Sequence, residues 1–191
     1  LTPADDVWRH FAATILGELV INTVVLALAV AAGTAVLGVG LAWLTAVCEF
    51  PGRRFFSWAL LLPLAIPAYV IGFVYIGLLD FTGPLQSGLR SLTGSGLPWF
   101  PAIRSRGGVA LAMTLALYPY VFLLARNAFR TQGRRMLEAG RALGLTSFEA
   151  FLRVALPMSR PWVAAGVMLV VMETLADFGT VDAAARAVSE I

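Results

Sequence analysis

The chain has 191 residues, of which 59% are hydrophobic and 13% are charged, and its mean hydropathy is +0.83. A soluble domain of this size would carry far more polar surface, so the composition excludes a soluble globular protein and predicts an integral membrane protein. The formal net charge is +3, and the arginines behind it concentrate between apolar stretches. The positive-inside bias of membrane proteins accounts for them, so we expect no nucleic-acid partner.

Cysteine and histidine are scarce, which limits the chemistry open to the chain. Cys48 is the single cysteine, so an internal disulfide and a cysteine-based metal cluster are both excluded. His10 is the single histidine and lacks ligand partners, so it predicts a surface residue rather than a metal ligand. We therefore expect no metal site.

Four apolar stretches are long enough to cross a bilayer, whose hydrocarbon core takes about 20 helical residues. They are residues 19–47, 55–79, 107–125 and 162–181. Residues 1–17 are too polar for a span and predict an interfacial lead-in, and residues 80–106 predict a loop with interfacial aromatic side chains. The fold class is thus an all-α polytopic bundle, which we expect to form a single membrane domain over residues 1–191.

The first two spans carry residues with specific packing consequences. Asn22, near the start of the first span, either hydrogen-bonds a neighbouring helix or lines a pathway. In the second span, Pro63 and Pro67 each remove a backbone donor, so we expect this helix to be bent or broken. The first span also offers small residues that let helix backbones approach closely in lipid, among them Gly33, Gly38 and Gly40.

The connection between the third and fourth spans fixes the orientation. It carries more arginines than the other connections, namely Arg126, Arg130, Arg134, Arg135, Arg141, Arg153 and Arg160. The positive-inside rule therefore places residues 126–161 in the cytoplasm and, counting back, the N-terminus outside. Because the chain starts at Leu1 without a signal peptide pattern, we expect an earlier span in a longer protein.

The fourth span contains two carboxylates, Glu173 and Asp177, which lie four residues apart and so share one helix face. Carboxylates are costly in hydrocarbon, which means that both should face protein or water. Two interpretations stay open: the pair forms hydrogen bonds between helices, or it lines a translocation pathway. The i, i+4 spacing is poorly suited to an aspartyl-type protease, which needs two carboxylates sharing one proton.

The cytoplasmic connection predicts a helical hairpin. Residues 134–143 favour a helix, and Gly144 stands where a helix end needs a left-handed residue. Thr146 and Glu149 have the spacing of a capping box that starts a second helix. Pro157 and Pro161 should end that helix before the fourth span. Although the hairpin is basic, its attachment to a span at both ends argues against a DNA-reading helix-turn-helix.

The hairpin resembles the EAA loop of binding-protein-dependent ABC importer permeases. That pattern is E-A-A, three residues, G, nine residues, I-x-L-P, and this chain matches its spacing with glycine for the third alanine and valine for isoleucine. The matching positions are Glu138, Ala139, Gly140, Gly144, Leu156 and Pro157. The resemblance extends over about residues 19–181, and it implies the type I ABC importer permease fold, a multi-pass protein of the bacterial inner membrane.

The resemblance also implies a mechanism. In such permeases the first helix of the loop, here about residues 135–143, is a coupling helix that docks on a cytoplasmic ABC ATPase dimer. We therefore expect no enzyme activity and no cofactor in this chain, since the partner subunit would bind and hydrolyse ATP. The other implied partners are an external solute-binding protein, a second permease half or subunit, and the lipid bilayer.

The segment ETLADFGTV at residues 173–181 is similar to the corresponding span of iron(III)-type permeases, in which two permease halves are fused. The implied solute is ferric iron and the implied position is the N-terminal half. Thiamine, sulfate, polyamine and phosphonate permeases have comparable sequences, so these solutes stay open. From a different class, a membrane scaffold or sensor whose hairpin only binds a partner is also open.

Overall fold

The computed structural model describes residues 16–67, 70, 74, 77–78, 83–93, 106–142 and 144–189. Three long helices dominate this part: α1 (Leu16–Val47), α4 (Arg106–Ala142) and α6 (Leu156–Ser189). The shorter helices are α2 (Arg53–Ala59), a 3-10 turn (Leu62–Ala65), α3 (Pro84–Thr93) and α5 (Ser147–Ala150), and a π-helical segment (Phe151–Ala155) joins α5 to α6. The described part contains no β-strand, so the all-α prediction is confirmed.

Within the described part, three helices are long and apolar enough to cross a membrane, over Leu19–Val47, Gly107–Thr131 and Ser147–Ala176. These overlap the first, third and fourth predicted spans, although the last of them begins at Ser147 rather than at residue 162. The second, residues 55–79, lies partly outside the described residues. Of the predicted loop at residues 80–106, the described part is mainly α3.

Helix α4 packs against both α1 and α6, and the core lies where the three meet. Val30, Val121, Phe122 and Val170 are completely buried there. Because lipid is as apolar as these side chains, close packing rather than escape from water must hold the helices together. The core is accordingly dense with small residues, and Ala42 and Ala125 are also fully buried.

Glycines set the closest approaches between these helices. A Cβ added to Gly38 of α1 would lie 2.8 Å from Val121 Cβ, and one added to Gly166 of α6 would lie 2.9 Å from Val121 Cα. Val121 is therefore held between two glycines, one from each neighbouring helix. Gly33 makes a similar approach to Thr114, as expected from the sequence. The expectation for Gly40 was wrong, because no atom of the described residues lies within 4 Å of its Cβ position.

The predicted second span is broken at its prolines, as expected. Helix α2 ends at Ala59, the 3-10 turn contains Pro63, and Ile66 is extended with φ −110° and ψ 133°. A carbonyl freed by this break finds a partner in the bundle, since the Tyr118 hydroxyl donates to Leu60 O at 3.0 Å. The broken segment is thus tied to α4.

Two expectations about helix ends were wrong. The third span and the first hairpin helix are one continuous helix of 37 residues, α4, which runs through Pro119 without interruption. Pro119 is fully buried, so packing inside the bundle supports the helix where the proline removes a hydrogen bond. Pro157 and Pro161 do not end the second hairpin helix either, because both lie inside α6.

Candidate functional site

The hairpin between α4 and α6 turns at Gly144. This glycine has φ +78°, the left-handed conformation predicted for it. The Leu145 amide donates to Gly140 O at 3.0 Å, which reaches back over the last turn of α4. Together these features form a Schellman motif, in which a left-handed residue reverses the chain and satisfies a free carbonyl at the helix end. The turn is therefore specified by its own backbone.

The second arm of the hairpin begins with the predicted capping box. The Glu149 amide donates to Thr146 Oγ1 at 3.3 Å, and the Thr146 amide donates to Glu149 Oε2 at 3.0 Å. The Thr146 hydroxyl also donates to the same carboxylate oxygen at 2.9 Å. A cap of this kind contributes about 1 kcal/mol to a helix start. Both arms thus have fixed ends, the first at the Gly144 turn and the second at the Thr146 cap.

The two arms touch where Gly140 meets Ala150. Both residues are buried, and a Cβ added to Gly140 would lie 2.9 Å from Ala150 Cβ. Because Gly140 carries only a hydrogen where alanine has a methyl group, the two arms approach more closely than they could with alanine. The glycine in the third position of the Glu138-Ala139-Gly140 signature therefore matches this hairpin's packing.

This contact gives a testable prediction on hairpin rigidity. We expect Gly140→Ala to push the arms apart and to destabilise the turn by about 1 kcal/mol, because methyl groups added to a packed contact cost 1–3 kcal/mol. Amide hydrogen exchange at Leu145 should then speed up by about fivefold. Adding Ala150→Gly should recover most of the loss. If the effects of Gly140→Ala and Ala150→Gly on exchange at Leu145 simply add in the double variant, the two residues are not in direct contact.

A π turn connects the hairpin to α6. The Leu156 amide donates to Phe151 O, five residues earlier, rather than to the carbonyl four residues earlier. This wider turn lies directly before Pro157 and relieves the crowding that a proline ring meets in a regular α-helix. Leu156 and Pro157, the last positions of the matched loop pattern, therefore lie at the junction between hairpin and span.

An aromatic cluster fixes the base of the hairpin against α1. The Trp43 ring lies 4.4 Å from the Phe151 ring and 5.6 Å from the Phe129 ring, measured between centroids. Phe129 and Phe151 lie 6.1 Å apart. The sequence analysis missed this cluster, because its members come from three separate elements. It provides a packed connection between the π segment, α4 and the end of α1.

The outer surface of the hairpin combines polar and apolar side chains. Glu138 and Ala139 are exposed, whereas Gly140 is buried against the second arm. On that second arm, Phe148 is 67% exposed and Leu152 is 45% exposed. Large exposed apolar side chains are typical of a surface that contacts another protein or the membrane. Phe148 and Leu152 are functional candidates that the sequence pattern does not indicate. Only their exposure in the structure distinguishes them from core residues.

A separate, partly open cavity of about 310 Å³ lies between the broken second span, α4 and α6. Glu173 lines it, together with Tyr120 of α4 and the segment 63–67. The structure thus brings Glu173 to the proline break, where backbone groups are less regularly paired. Asn22 is not among the residues that line this cavity. Asp177 lies on α6, but its side chain is outside the described part.

Among the described residues, no group of three or more histidine, cysteine, aspartate or glutamate side chains could hold a metal ion. Glu173 lines its cavity without a second carboxylate among the lining residues that the structure describes. Among the described residues, the cavity therefore presents one carboxylate to a solute rather than a full set of metal ligands.

Comparison with known proteins agrees with this geometry. Residues 35–185 match the family described as binding-protein-dependent transport system inner membrane component. The molybdenum transport system permease protein ModB of Escherichia coli (strain K12) is 30% identical over 74% of this chain and 60% of its own length. The sulfate transport system permease protein CysT of the same organism is 29% identical over 76% of this chain and 50% of its own.

A third relative covers more of this chain. The Fe(3+)-transport system permease protein FbpB 2 of Haemophilus influenzae (strain ATCC 51907 / DSM 11121 / KW20 / Rd) is 27% identical over 87% of this chain and 29% of its own length. The chain spans about half the length of the sulfate and molybdenum permeases and less of the iron permease. With most of the chain inside the family match and three apolar helices in the bundle, the chain is a multi-pass inner-membrane protein of bacteria and belongs to the binding-protein-dependent ABC importer permeases.

Proposed function

We propose that this chain forms part of a permease that couples ATP hydrolysis by a separate ATPase subunit to solute import. The observation that carries the proposal is the hairpin at residues 138–152, which is rigid at its turn and exposed on its outer face. Its partners would be a cytoplasmic ABC ATPase dimer, an external solute-binding protein and a second permease half or subunit. ATP would bind to the partner, so this chain would need no cofactor and catalyse no reaction.

The hairpin is built to move as one body with the spans. Helix α4 passes from the bundle into the first arm without a break, and α5, the π segment and α6 follow one another directly. Glu138 and Ala139 with the exposed Phe148 would contact the ATPase, and Gly144 would keep the turn between them. When the ATPase dimer closes, the arms would carry α4 and α6 with them and change access to the pathway.

We infer that the solute is a cation, and ferric iron is the proposed one. Glu173 lines the cavity beside the broken span, and a carboxylate along a pathway favours cations and repels oxyanions. The similarity to an Fe(3+)-transport permease over 87% of this chain supports the same solute class. Sulfate and molybdenum permeases are similar to a comparable degree, so oxyanion import is the alternative that an experiment must separate.

Uptake measurements distinguish the solutes. Cells that depend on the full-length transporter would be supplied with radioactive ferric iron, sulfate or molybdate, each with its own binding protein. We expect ATP-dependent uptake of iron, and we expect Glu173→Gln to slow it by about tenfold, the effect of losing roughly 1.4 kcal/mol of charge attraction. Glu173→Asp, which keeps the charge, is the matched control and should retain most of the uptake. Uptake of sulfate or molybdate by the wild type would contradict the cation proposal.

A further inference from the structure

A second cavity, of about 710 Å³, lies between α4, α2 and the connection from α1 to α2. We call it the arginine pocket, because Arg53, Arg54, Arg126 and Arg130 line it. Glu49 is the only acidic residue among its lining residues in the described part of the chain. The pocket is therefore strongly positive, although it lies at the edge of a membrane bundle.

Within the described part of the chain, the guanidinium groups of this pocket have few hydrogen-bond partners. Arg126 Nη1 donates to Ser57 O at 3.4 Å, and Arg53 Nη2 donates to Ala46 O at 3.4 Å, both long contacts. Arg126 Nε is buried and has no hydrogen-bond partner within the part of the chain that the structure describes. Because a guanidinium has five N–H donors, most donors of Arg53 and Arg126 have no partner among the residues that the structure describes.

The arginines also repel one another. Arg53, Arg126 and Arg130 all line one cavity, so their positive charges are held close together. The Arg126 guanidinium additionally lies 5.8 Å from the centre of the Phe122 ring, at the upper edge of the buried core. Like charges held together beside an apolar core are stabilised by a bound anion, and planar guanidinium groups match the oxygens of phosphate.

The surroundings of the pocket indicate where that phosphate comes from. Phe55, Phe56 and Trp58 of α2 are 64%, 47% and 62% exposed, and aromatic side chains of this kind lie at the headgroup level of a bilayer. The pocket lies on the hairpin side of the bundle, since Arg126 and Arg130 follow Phe122 along α4 toward the hairpin. This side is cytoplasmic by the arginine distribution, and the cytoplasmic leaflet is the one rich in anionic lipid.

We propose that the arginine pocket binds the phosphate of an anionic phospholipid headgroup at the cytoplasmic surface of the membrane. The phosphate would accept hydrogen bonds from Arg126 and Arg130, and the acyl chains would lie beside the aromatic side chains of α2. Occupancy would stabilise the junction of the broken span with α4, the same junction that leads into the hairpin. This inference is independent of which solute the transporter carries.

The test measures lipid retention by the full-length protein. The wild type, an Arg126→Gln/Arg130→Gln variant and an Arg160→Gln variant would be purified in detergent, supplied with phosphatidylglycerol or phosphatidylcholine, and analysed by native mass spectrometry. Arg160 is an exposed arginine that does not line the pocket, so its variant loses a cytoplasmic charge but not the site. We expect the wild type and Arg160→Gln to retain phosphatidylglycerol in preference to phosphatidylcholine.

The double variant should bind phosphatidylglycerol about 25-fold more weakly, since one basic residue near an anionic surface contributes about fivefold. If that variant does not fold, Arg130→Gln alone should show about a fivefold loss, because Arg130 is exposed and its replacement leaves the core intact. A third arm adds inorganic phosphate at millimolar concentration. Equal lipid retention by all variants, or displacement of the lipid by free phosphate, would overturn the lipid assignment.

Discussion

Replacing Gly38 by valine should destabilise the bundle by about 3 kcal/mol, the upper part of the range for overpacking a core. The added Cβ would lie 2.8 Å from Val121 Cβ and 2.9 Å from the Phe122 amide nitrogen, and a backbone atom cannot rotate away as a side chain does. Val121 cannot retreat, because Gly166 packs against its other side. The measurement is the thermal unfolding of the full-length protein in detergent, together with its yield in membranes.

Gly40→Val is the matched control for this change. It lies on the same helix two residues further on, adds the same side chain, and meets no atom of the described residues within 4 Å. We expect it to change stability by no more than about 0.5 kcal/mol, as at an uncrowded surface position. Equal losses in the two variants would show that valine harms α1 itself, and would contradict the role of Gly38 in helix packing.

Replacing Gly144 by valine should abolish coupling while leaving membrane insertion intact. A β-branched residue at φ +78° is strained, so the turn would open and the Leu145 amide would lose its bond to Gly140 O. We expect recovery of the ATPase with the purified transporter to fall by at least about tenfold, because a misplaced hot spot costs 2 kcal/mol or more. ATP-dependent uptake should fall with it.

The control for Gly144→Val is a second glycine that also has a positive φ but lies in a different turn. Gly52 has φ +85° and precedes α2, well apart from the hairpin in sequence, so Gly52→Val imposes a similar strain on a different turn. We expect Gly52→Val to keep the ATPase bound. Normal uptake by Gly144→Val, or loss of the ATPase from both variants alike, would mean that the hairpin turn has no specific part in coupling.

Features that depend on neighbours in the sequence were predictable. Gly144 ends a helix because glycine tolerates φ +78°, and Thr146 with Glu149 caps the next helix because both groups lie within one turn. The break at Pro63 follows from the missing backbone donor. Apolar length alone identified the three long helices.

Features that depend on contacts between distant segments were not predictable. Pro119 should interrupt a helix by its chemistry, yet it is fully buried in the bundle and the helix continues. Likewise, Pro157 ends a helix in isolation, but the π turn before it allows the helix to continue. No periodicity indicates that Trp43 contacts Phe151, or that Arg53 and Arg126 line one cavity, because the packing of separate elements determines both arrangements.

The most direct test of coupling places a photo-crosslinking amino acid at Ala139 of the full-length protein in its own host. Ala139 is exposed on the hairpin, and Val36, which is 74% exposed on α1, is the control position on a membrane-spanning surface. The proposed coupling predicts that Ala139, but not Val36, yields an adduct with a Walker-motif ATPase, identified by mass spectrometry. An assembled protein that gives no ATPase adduct from Ala139 would contradict it.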